Sequence, residues 1–306
     1  MTSSKPWPWS KTPKSTPADW GPGMTVCIAA RSAIDGTIVC ATDMMISMSD
    51  LSMSADSVTL KVGYIGKKWA IMAAGDLSCY ADVRRHLIEY FRTNEFKVDK
   101  LSRTQLSDAL KYAFEKEIKV RAEAEILAPY GLTFDNYRDE GPKLGSDTFS
   151  RIIFALQEKD LGLNLLLAGF GETGNGHIFT VEKRGLSQHF DGVWAIGSGD
   201  LGALGYLFSS QLGVLDSAEE VLYHVCCAKF SAETSPGVGK KTILVVIKKD
   251  GSRKFVDDTS IEDIRKEWER RRKNKISDVR LQKIKETLDA IKPEQPSEAQ
   301  KEGGQP

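Results

Sequence analysis

The order of strand-like and helix-like segments limits the folds open to this chain. Residues 25–43 predict two apolar strands joined by a turn centred on Asp35 and Gly36, a dipeptide that tolerates positive φ. Residues 57–65 and 68–75 predict a second hairpin. Two helices, more strands, two further helices and a last strand follow. This order predicts two layers of sheet with helices covering each outer side.

The helices are predicted from apolar residues at helical spacing. Asp76 is placed to cap the first helix, and Ser102 or Thr104 lies near the start of the second. The next two helices are predicted over 201–211 and 218–230. The later strands are predicted from the segments RIIFALQ, LNLLLAGF, HIFTVEK, VWAIGSG and TILVVIKK.

The chain divides by composition into four segments. Residues 1–23 are rich in Pro, Ser, Lys and Trp without a helix or strand period, which predicts a flexible extension. Residues 24–249 predict the folded domain. Residues 250–292 predict a charged helical tail, and 293–306 a disordered tail.

Charge and hydropathy argue against nucleic-acid and membrane partners, and the cysteines bear on the cellular location. Lys plus Arg and Asp plus Glu both number 42, so no net field favours nucleic acid or an anionic membrane. No apolar stretch approaches the roughly 20 residues that span a bilayer. The five cysteines form no CxxC pair and no Cys/His ligand spacing, which favours a reduced, cytoplasmic location.

Two glycine-rich motifs imitate nucleotide sites. Gly169, Gly171 and Gly174 have GxGxxG spacing, but the strand pattern HIFTVEK follows where that motif needs a helix. SPGVGKKT lacks the first glycine of a phosphate-binding loop and also precedes a strand. The four histidines show no paired spacing for a metal. The sequence implies no cofactor and no metal.

Four residues suit an acyl-transfer site better than a purely structural role. A threonine at a chain N-terminus can use its own α-amine, with a pKa of about 8, as the base, so Thr25 is a candidate nucleophile. Lys61 would stabilise the developing alkoxide, and Asp43 would keep that lysine charged and oriented. Gly75, at a strand-to-helix corner, would let backbone N–H groups approach an oxyanion.

Ordinary structural roles remain open for most of these residues. Thr25 also suits a strand edge, Asp43 a strand end and Gly75 a helix entry. Ser198 also suits the N-cap of the helix that follows it. Lys61 is the hardest to explain structurally, because a lysine within an apolar strand needs an edge or a buried partner.

The segments MTVCIAARSAIDGTIVCATD, TLKVGYIGKKWAIMAAGDLSCYAD and VWAIGSGDLGALGYL resemble the proteasome β-subunit family, especially its bacterial self-standing relatives. In that family the mature chain begins with a catalytic Thr, an Asp follows the first hairpin, a Lys precedes an AG turn, and a GSG motif comes later. Thr25, Asp43, Lys61, Gly75 and Ser198 match those positions.

The resemblance implies an α+β fold, a four-layer αββα sandwich of the N-terminal-nucleophile hydrolase type. It implies a threonine-type hydrolase that cleaves peptide or amide bonds through an acyl-enzyme ester, in a homo-oligomer of rings or stacked rings. A catalytically inactive scaffold subunit is the alternative. The charged C-terminal helix is a candidate contact for a regulatory partner, as in an adaptor.

Three departures from the family pattern bear on the site. The turn RSAIDG is longer than usual, and alignment from that turn would put the nucleophile position on Gly23. Ala232 stands where many active members carry an Asp three residues before a Ser-Gly turn, so Ser235 is a weak candidate and Glu233 a weaker one. The upstream extension must be absent before the amine of Thr25 can act, either through a start at Met24 or through self-cleavage. The first route is preferred.

Overall fold

The computed structural model describes residues 25–48, 53–56, 61–272, 280, 282–283 and 285–286. The predicted extension over 1–23 and the predicted disordered tail over 293–306 lie outside these residues, as do Gly23 and Met24. Two compact units are distinguished, 1–265 and 266–306. All strands and the candidate site belong to the first unit.

Twelve strands and seven α-helices occur in the described residues. The strands are β1 (Cys27–Ser32), β2 (Thr37–Asp43), β3 (Met45–Met48), β4 (Met53–Asp56), β5 (Val62–Ile65), β6 (Trp69–Gly75), β7 (Leu163–Phe170), β8 (Gly176–Glu182), β9 (Leu186–Phe190), β10 (Val193–Ile196), β11 (Thr242–Lys248) and β12 (Arg253–Phe255). The helices are α1 (Tyr80–Thr93), α2 (Arg103–Ala122), α3 (Tyr137–Glu140), α4 (Ser146–Glu158), α5 (Asp200–Ser209), α6 (Ala218–Ala232) and α7 (Asp258–Arg272).

The strands form two five-stranded antiparallel sheets and one small pair. The first sheet has the order β10-β1-β2-β11-β12, and the second has the order β5-β6-β7-β8-β9. Strands β3 and β4 pair with each other. Both predicted hairpins are confirmed, since β1 pairs with β2 and β5 with β6.

The β1–β2 hairpin occupies the interior of the first sheet. Gly36 has φ +55° in the connecting turn, as the Asp-Gly signal predicts. Every residue of β2 is buried, which explains its almost unbroken apolar sequence. A central strand buried on both faces gives its polar end residue, Asp43, no route to solvent.

Two apolar clusters account for most of the core. One joins side chains from both sheets, including Cys40 of β2, Met72 of β6 and Leu166 of β7. The other lies between the second sheet and helices α1 and α2. The predicted start of α2 is confirmed, since Ser102 forms a capping box with Gln105. Asp76 caps the 3₁₀ turn that leads into α1, whereas the N-cap of α1 itself is Cys79.

The predicted strand RIIFALQ is wrong, because residues 151–157 lie within α4. A short apolar run fits a helix or a strand equally well, and here Ile152 is buried while Phe154 is exposed. Helix α4 packs with neighbouring helical turns around its own small cluster of Leu127, Leu132 and Ile152.

The predicted four-layer αββα sandwich is also wrong. The fold is a mixed α/β arrangement of two five-stranded antiparallel sheets and seven helices in the described residues, and the helices form no clear pair of outer layers. The local reason is visible in residues 123–158, which build a helical cluster of their own instead of covering a sheet evenly. The β3–β4 pair belongs to neither five-stranded sheet.

The five cysteines are all buried, and none of them forms a disulfide bond. Burial raises the pKa of the Cys27 thiol to about 12, with smaller opposing effects from Thr42 and Lys61, and raises that of Cys226 to about 12. Among the described residues, no helix combines the length and apolar character that crossing a bilayer requires.

Candidate active site

The hydroxyl of Thr25 lies between a cation and a carboxylate. Lys61 Nζ donates a hydrogen bond to Thr25 Oγ1 at 2.5 Å, and the hydroxyl donates to Asp43 Oδ1. Lys61 Nζ also lies 3.1 and 3.2 Å from the two carboxylate oxygens of Asp43. The three side chains therefore form a closed triangle, which we call the Thr25 triad.

Strand register brings the triad together from distant segments. Asp43 ends β2, and its carboxylate accepts the backbone N–H of Val26 at 3.1 Å, which holds it beside the start of β1. Lys61 immediately precedes β5, and its carbonyl accepts the N–H of Ala73 at 3.2 Å. The lysine thus reaches the triad from the second sheet, while Thr25 and Asp43 belong to the first.

The triad is enclosed. Thr25 and Lys61 are each 3% exposed, and Asp43 is fully buried. Charges attract each other more strongly away from water, but their desolvation is costly unless hydrogen bonds satisfy them. The buried partner expected for Lys61 is present and is Asp43.

The GSG motif wraps around the backbone of Thr25. Ser198 Oγ accepts the Thr25 N–H at 3.1 Å, and the Gly199 N–H donates to the Thr25 carbonyl at 3.2 Å. Gly197 has φ +100°, and a Cβ there would lie 2.4 Å from the Thr25 carbonyl oxygen. The alternative role of Ser198 as a helix N-cap is wrong, since Gly199 is the N-cap of α5.

Gly75 and Ser235 are placed apart from the hydrogen bonds of the triad hydroxyl. Gly75 ends β6 with φ +90°, and a Cβ there would lie 2.1 Å from the carbonyl oxygen of Gly162. That close approach accounts for the glycine by itself. Ser235 lies in a turn, where its N–H donates to Ala232 and its carbonyl accepts from Val238. Their proposed roles remain predictions.

Glu233 has partners other than Thr25. Its carboxylate receives Lys229 Nζ and both Nη atoms of Arg265. Its suggested role beside the N-terminal amine is therefore not supported by its contacts.

Gly239 is a further contributor to the site that the sequence does not predict, since its N–H donates to Asp43 Oδ2 at 3.2 Å. A backbone donor leaves no residue-type signal in the sequence. The available signal was Lys229, a lysine in the apolar run CCAKF of α6, whose ammonium binds the Gly239 carbonyl.

A strand follows each of the two discounted glycine-rich motifs, as the sequence predicts. Strand β8 follows the GxGxxG segment, and strand β11 follows SPGVGKKT. Within the described residues, no three His, Cys, Asp or Glu side chains gather as a metal site would require.

Comparison with known proteins assigns no family, since the chain matches no protein-family model and no curated protein sequence. The resemblance to the proteasome β-subunit family rests on its short motifs and stays a prediction. The geometry of the Thr25 triad is therefore the basis for the function proposed below.

Proposed function

We propose that this protein is a threonine-type hydrolase that acts once Thr25 is the first residue of the chain. The contact that carries the proposal is the hydrogen bond from Lys61 Nζ to Thr25 Oγ1, in a site from which water is largely excluded. An ammonium at that position favours negative charge on the hydroxyl oxygen. A strand-edge threonine with only a structural role does not need a buried ammonium beside its hydroxyl.

The proposed reaction is acyl transfer to the threonine. Thr25 Oγ1 attacks the carbonyl carbon of a peptide or amide, and the hydroxyl proton passes to the free α-amine of the same residue. The tetrahedral intermediate then expels the leaving amine, which takes that proton. A threonyl ester remains, and water, deprotonated by the same amine, hydrolyses it to a carboxylic acid and the restored hydroxyl.

The contacts around Thr25 suit these steps. Asp43 orients Lys61 through both carboxylate oxygens. Ser198 Oγ lies 3.1 Å from the backbone nitrogen of Thr25, where it would accept a hydrogen bond from the freed amine. Lys61 and Ser198 thus support the nucleophile and its base respectively.

The wider setting is proposed on the same basis. The motif resemblance favours membership of the proteasome β-subunit family, a peptide substrate before a small amide, and a homo-oligomer of rings. The five buried thiols, none of them in a disulfide bond, favour a reducing, cytoplasmic location.

The decisive experiment is intact mass with N-terminal sequencing of the protein purified from its own cells. We expect a chain that begins at Thr25, turnover of fluorogenic peptides, and a covalent ester adduct on Thr25 after reaction with an acylating probe. The matched Thr25→Ala variant should give neither turnover nor adduct. A native chain that begins at Thr25 but never forms the adduct would overturn the proposal.

A catalytically inactive scaffold subunit is the second candidate. The observation in its favour is that Thr25 is only 3% exposed, so a substrate carbonyl has little access to the hydroxyl. In this case the native chain would retain Met1 or Met24, and the amine of Thr25 would remain in a peptide bond. The same mass measurement separates the two candidates.

A further inference from the structure

A second buried lysine lies behind the Thr25 triad. Lys229 of α6 is fully buried, and its ammonium donates to the carbonyl oxygens of Gly239 at 2.7 Å and Lys240 at 2.8 Å. It also donates to the carboxylate of Glu233. An ammonium has three donors, and these three acceptors use all of them.

Residues 239–240, whose carbonyl groups bind Lys229, also contact the triad. The N–H of Gly239 donates to Asp43 Oδ2, while Asp43 Oδ1 receives the N–H of Val26. The two backbone donors hold the carboxylate from two sides. Residues 239–240 therefore supply one of the two backbone hydrogen bonds that orient the carboxylate beside Lys61.

Arg265 closes the arrangement from the outside. Its guanidinium binds both oxygens of Glu233 at 2.7 Å, donates to the Lys240 carbonyl at 3.3 Å, and lies 4.0 Å from the centre of the Phe230 ring. Bidentate pairing fixes the Glu233 carboxylate in direction as well as position. We call Lys229, Glu233 and Arg265 the loop clamp.

Burial makes the clamp resistant to movement. Burial lowers the pKa of Lys229, and the neighbouring Glu233 opposes that effect. Displacing residues 239–240 would leave a buried ammonium without two of its acceptors, which is far costlier than moving a solvated loop.

We propose that the loop clamp positions the Thr25 triad, acting through the Gly239 N–H on the Asp43 carboxylate. Lys229 is thus a positioning residue, because its described contacts go to Glu233 and to the 239–240 backbone. The catalytic consequence rests on the proposed hydrolase function, whereas the positioning of Asp43 does not.

Hydrogen exchange measured by mass spectrometry on the full chain tests the positioning directly. In Lys229→Met we expect the exchange of peptides containing Val26 and Gly239 to accelerate at least about tenfold through local opening, with peptides from β7 unchanged. Lys240→Met is the matched control, because that side chain is exposed and its carbonyl acceptor is retained. Uniform acceleration that includes β7 would indicate a merely structural role and overturn the proposal.

Arg265→Gln provides a second variant should Lys229→Met fail to fold, since the Arg265 side chain is partly exposed and its loss leaves Lys229 paired with Glu233. It should accelerate the same peptides in the same direction. If both regions exchange as in Lys240→Met, the proposal is rejected.

Turnover supplies an independent readout. We expect the clamp variants to lower kcat about tenfold with little change in KM, because a slightly misplaced group affects the chemical step more than substrate binding. A wild-type protein without turnover would reject the proposed hydrolase function. The exchange result would still decide whether the clamp positions Asp43.

Discussion

Two buried ionic clusters in this protein look alike by burial and differ in geometry. The Thr25 triad joins Asp43 and Lys61 from two sheets around a hydroxyl group. The second cluster lies between α1 and α2, where Glu117 contacts His86 Nε2 at 3.2 Å and Arg121 Nε at 2.7 Å. Buried charge is therefore common to both.

The two clusters differ in solvent exposure and in what lies between the charges, and this difference makes the Thr25 triad the candidate functional site. Arg121 is one helical turn from Glu117, and its side chain is 26% exposed, so the helix cluster is a local pair that reaches solvent. The Thr25 triad has no such exit, and its hydroxyl contacts both charges at once. A buried ion pair alone indicates packing, whereas a candidate nucleophile held between two charges makes the Thr25 triad the candidate for chemistry.

Removal of the Thr25 hydroxyl should reduce turnover more than any other change. Thr25→Ala should lower turnover at least about a thousandfold, because the proposed nucleophile is lost. The loss of one buried hydrogen-bonding group should cost about 1–3 kcal/mol of unfolding free energy. Enzyme kinetics and chemical denaturation measure the two effects. Thr180→Ala removes another buried threonine and should leave turnover intact. Equal turnover in both variants would contradict the role assigned to the Thr25 hydroxyl.

Removing the cation should affect both activity and stability. Lys61→Met should lower turnover at least about a hundredfold, the scale of one electrostatic or proton-transfer contribution. It should also reduce the unfolding free energy by about 3–5 kcal/mol, because Asp43 keeps a buried charge without its ammonium. Lys67→Met, at an exposed lysine, is the matched control.

A double variant separates the two effects of Lys61. Asp43→Asn combined with Lys61→Met should recover part of the lost stability, since neither charge is then left alone. Turnover should not recover. Denaturant titration and kinetics on the same preparations would show this, and recovery of turnover would contradict the role assigned to Lys61.

The helix cluster should respond in stability alone. Glu117→Gln should reduce the unfolding free energy by about 1–3 kcal/mol, because the partners of a buried carboxylate lose their charge-assisted acceptor. Turnover should stay within about twofold of the parent, because the described contacts of Glu117 go to His86 and Arg121 and not to the triad. A large loss of turnover in a folded Glu117→Gln protein would erase the distinction between the clusters.

The smallest expected effect lies outside both clusters. His177 Nδ1 and His189 Nε2 are 3.4 Å apart. Burial lowers the pKa of both side chains from 6.5. The next cause is His189 for the pKa of His177 and Arg103 for the pKa of His189. The unfolded chain then binds more protons between the unfolded and folded pKa values, so stability should fall as pH drops below about 6.5. Denaturation at several pH values should show a flatter dependence for the variant His177→Asn/His189→Asn.

Much of the local structure could be predicted because it is determined by residues that are close together in the sequence. Apolar alternation, the Asp35-Gly36 turn and the Ser102 cap all act within a few residues. Strands β9 and β12 were missed because most of their side chains are exposed, so no apolar pattern distinguishes them from loops. The prediction of four layers was wrong for a different reason, since the layer arrangement depends on packing between elements that are distant in the sequence.

The candidate site divides in the same way. Thr25, Asp43 and Lys61 were detectable because polar residues in or beside apolar strands are unusual. The contribution of Gly239 was not, because it is a backbone N–H 196 positions away from Asp43 along the chain. Residue identity indicates side-chain chemistry, and only the fold shows where backbone donors converge.

The buried cysteines give the protein an internal reporter. Cys27 lies two residues after Thr25, and its raised pKa leaves almost no thiolate at neutral pH. Maleimides and related electrophiles should therefore pass over this thiol while β1 stays in its sheet. Each local opening of β1 would expose Cys27 to alkylation. The labelling rate would therefore measure how often the β1–β2 hairpin opens beside the triad, and the measurement needs no substrate.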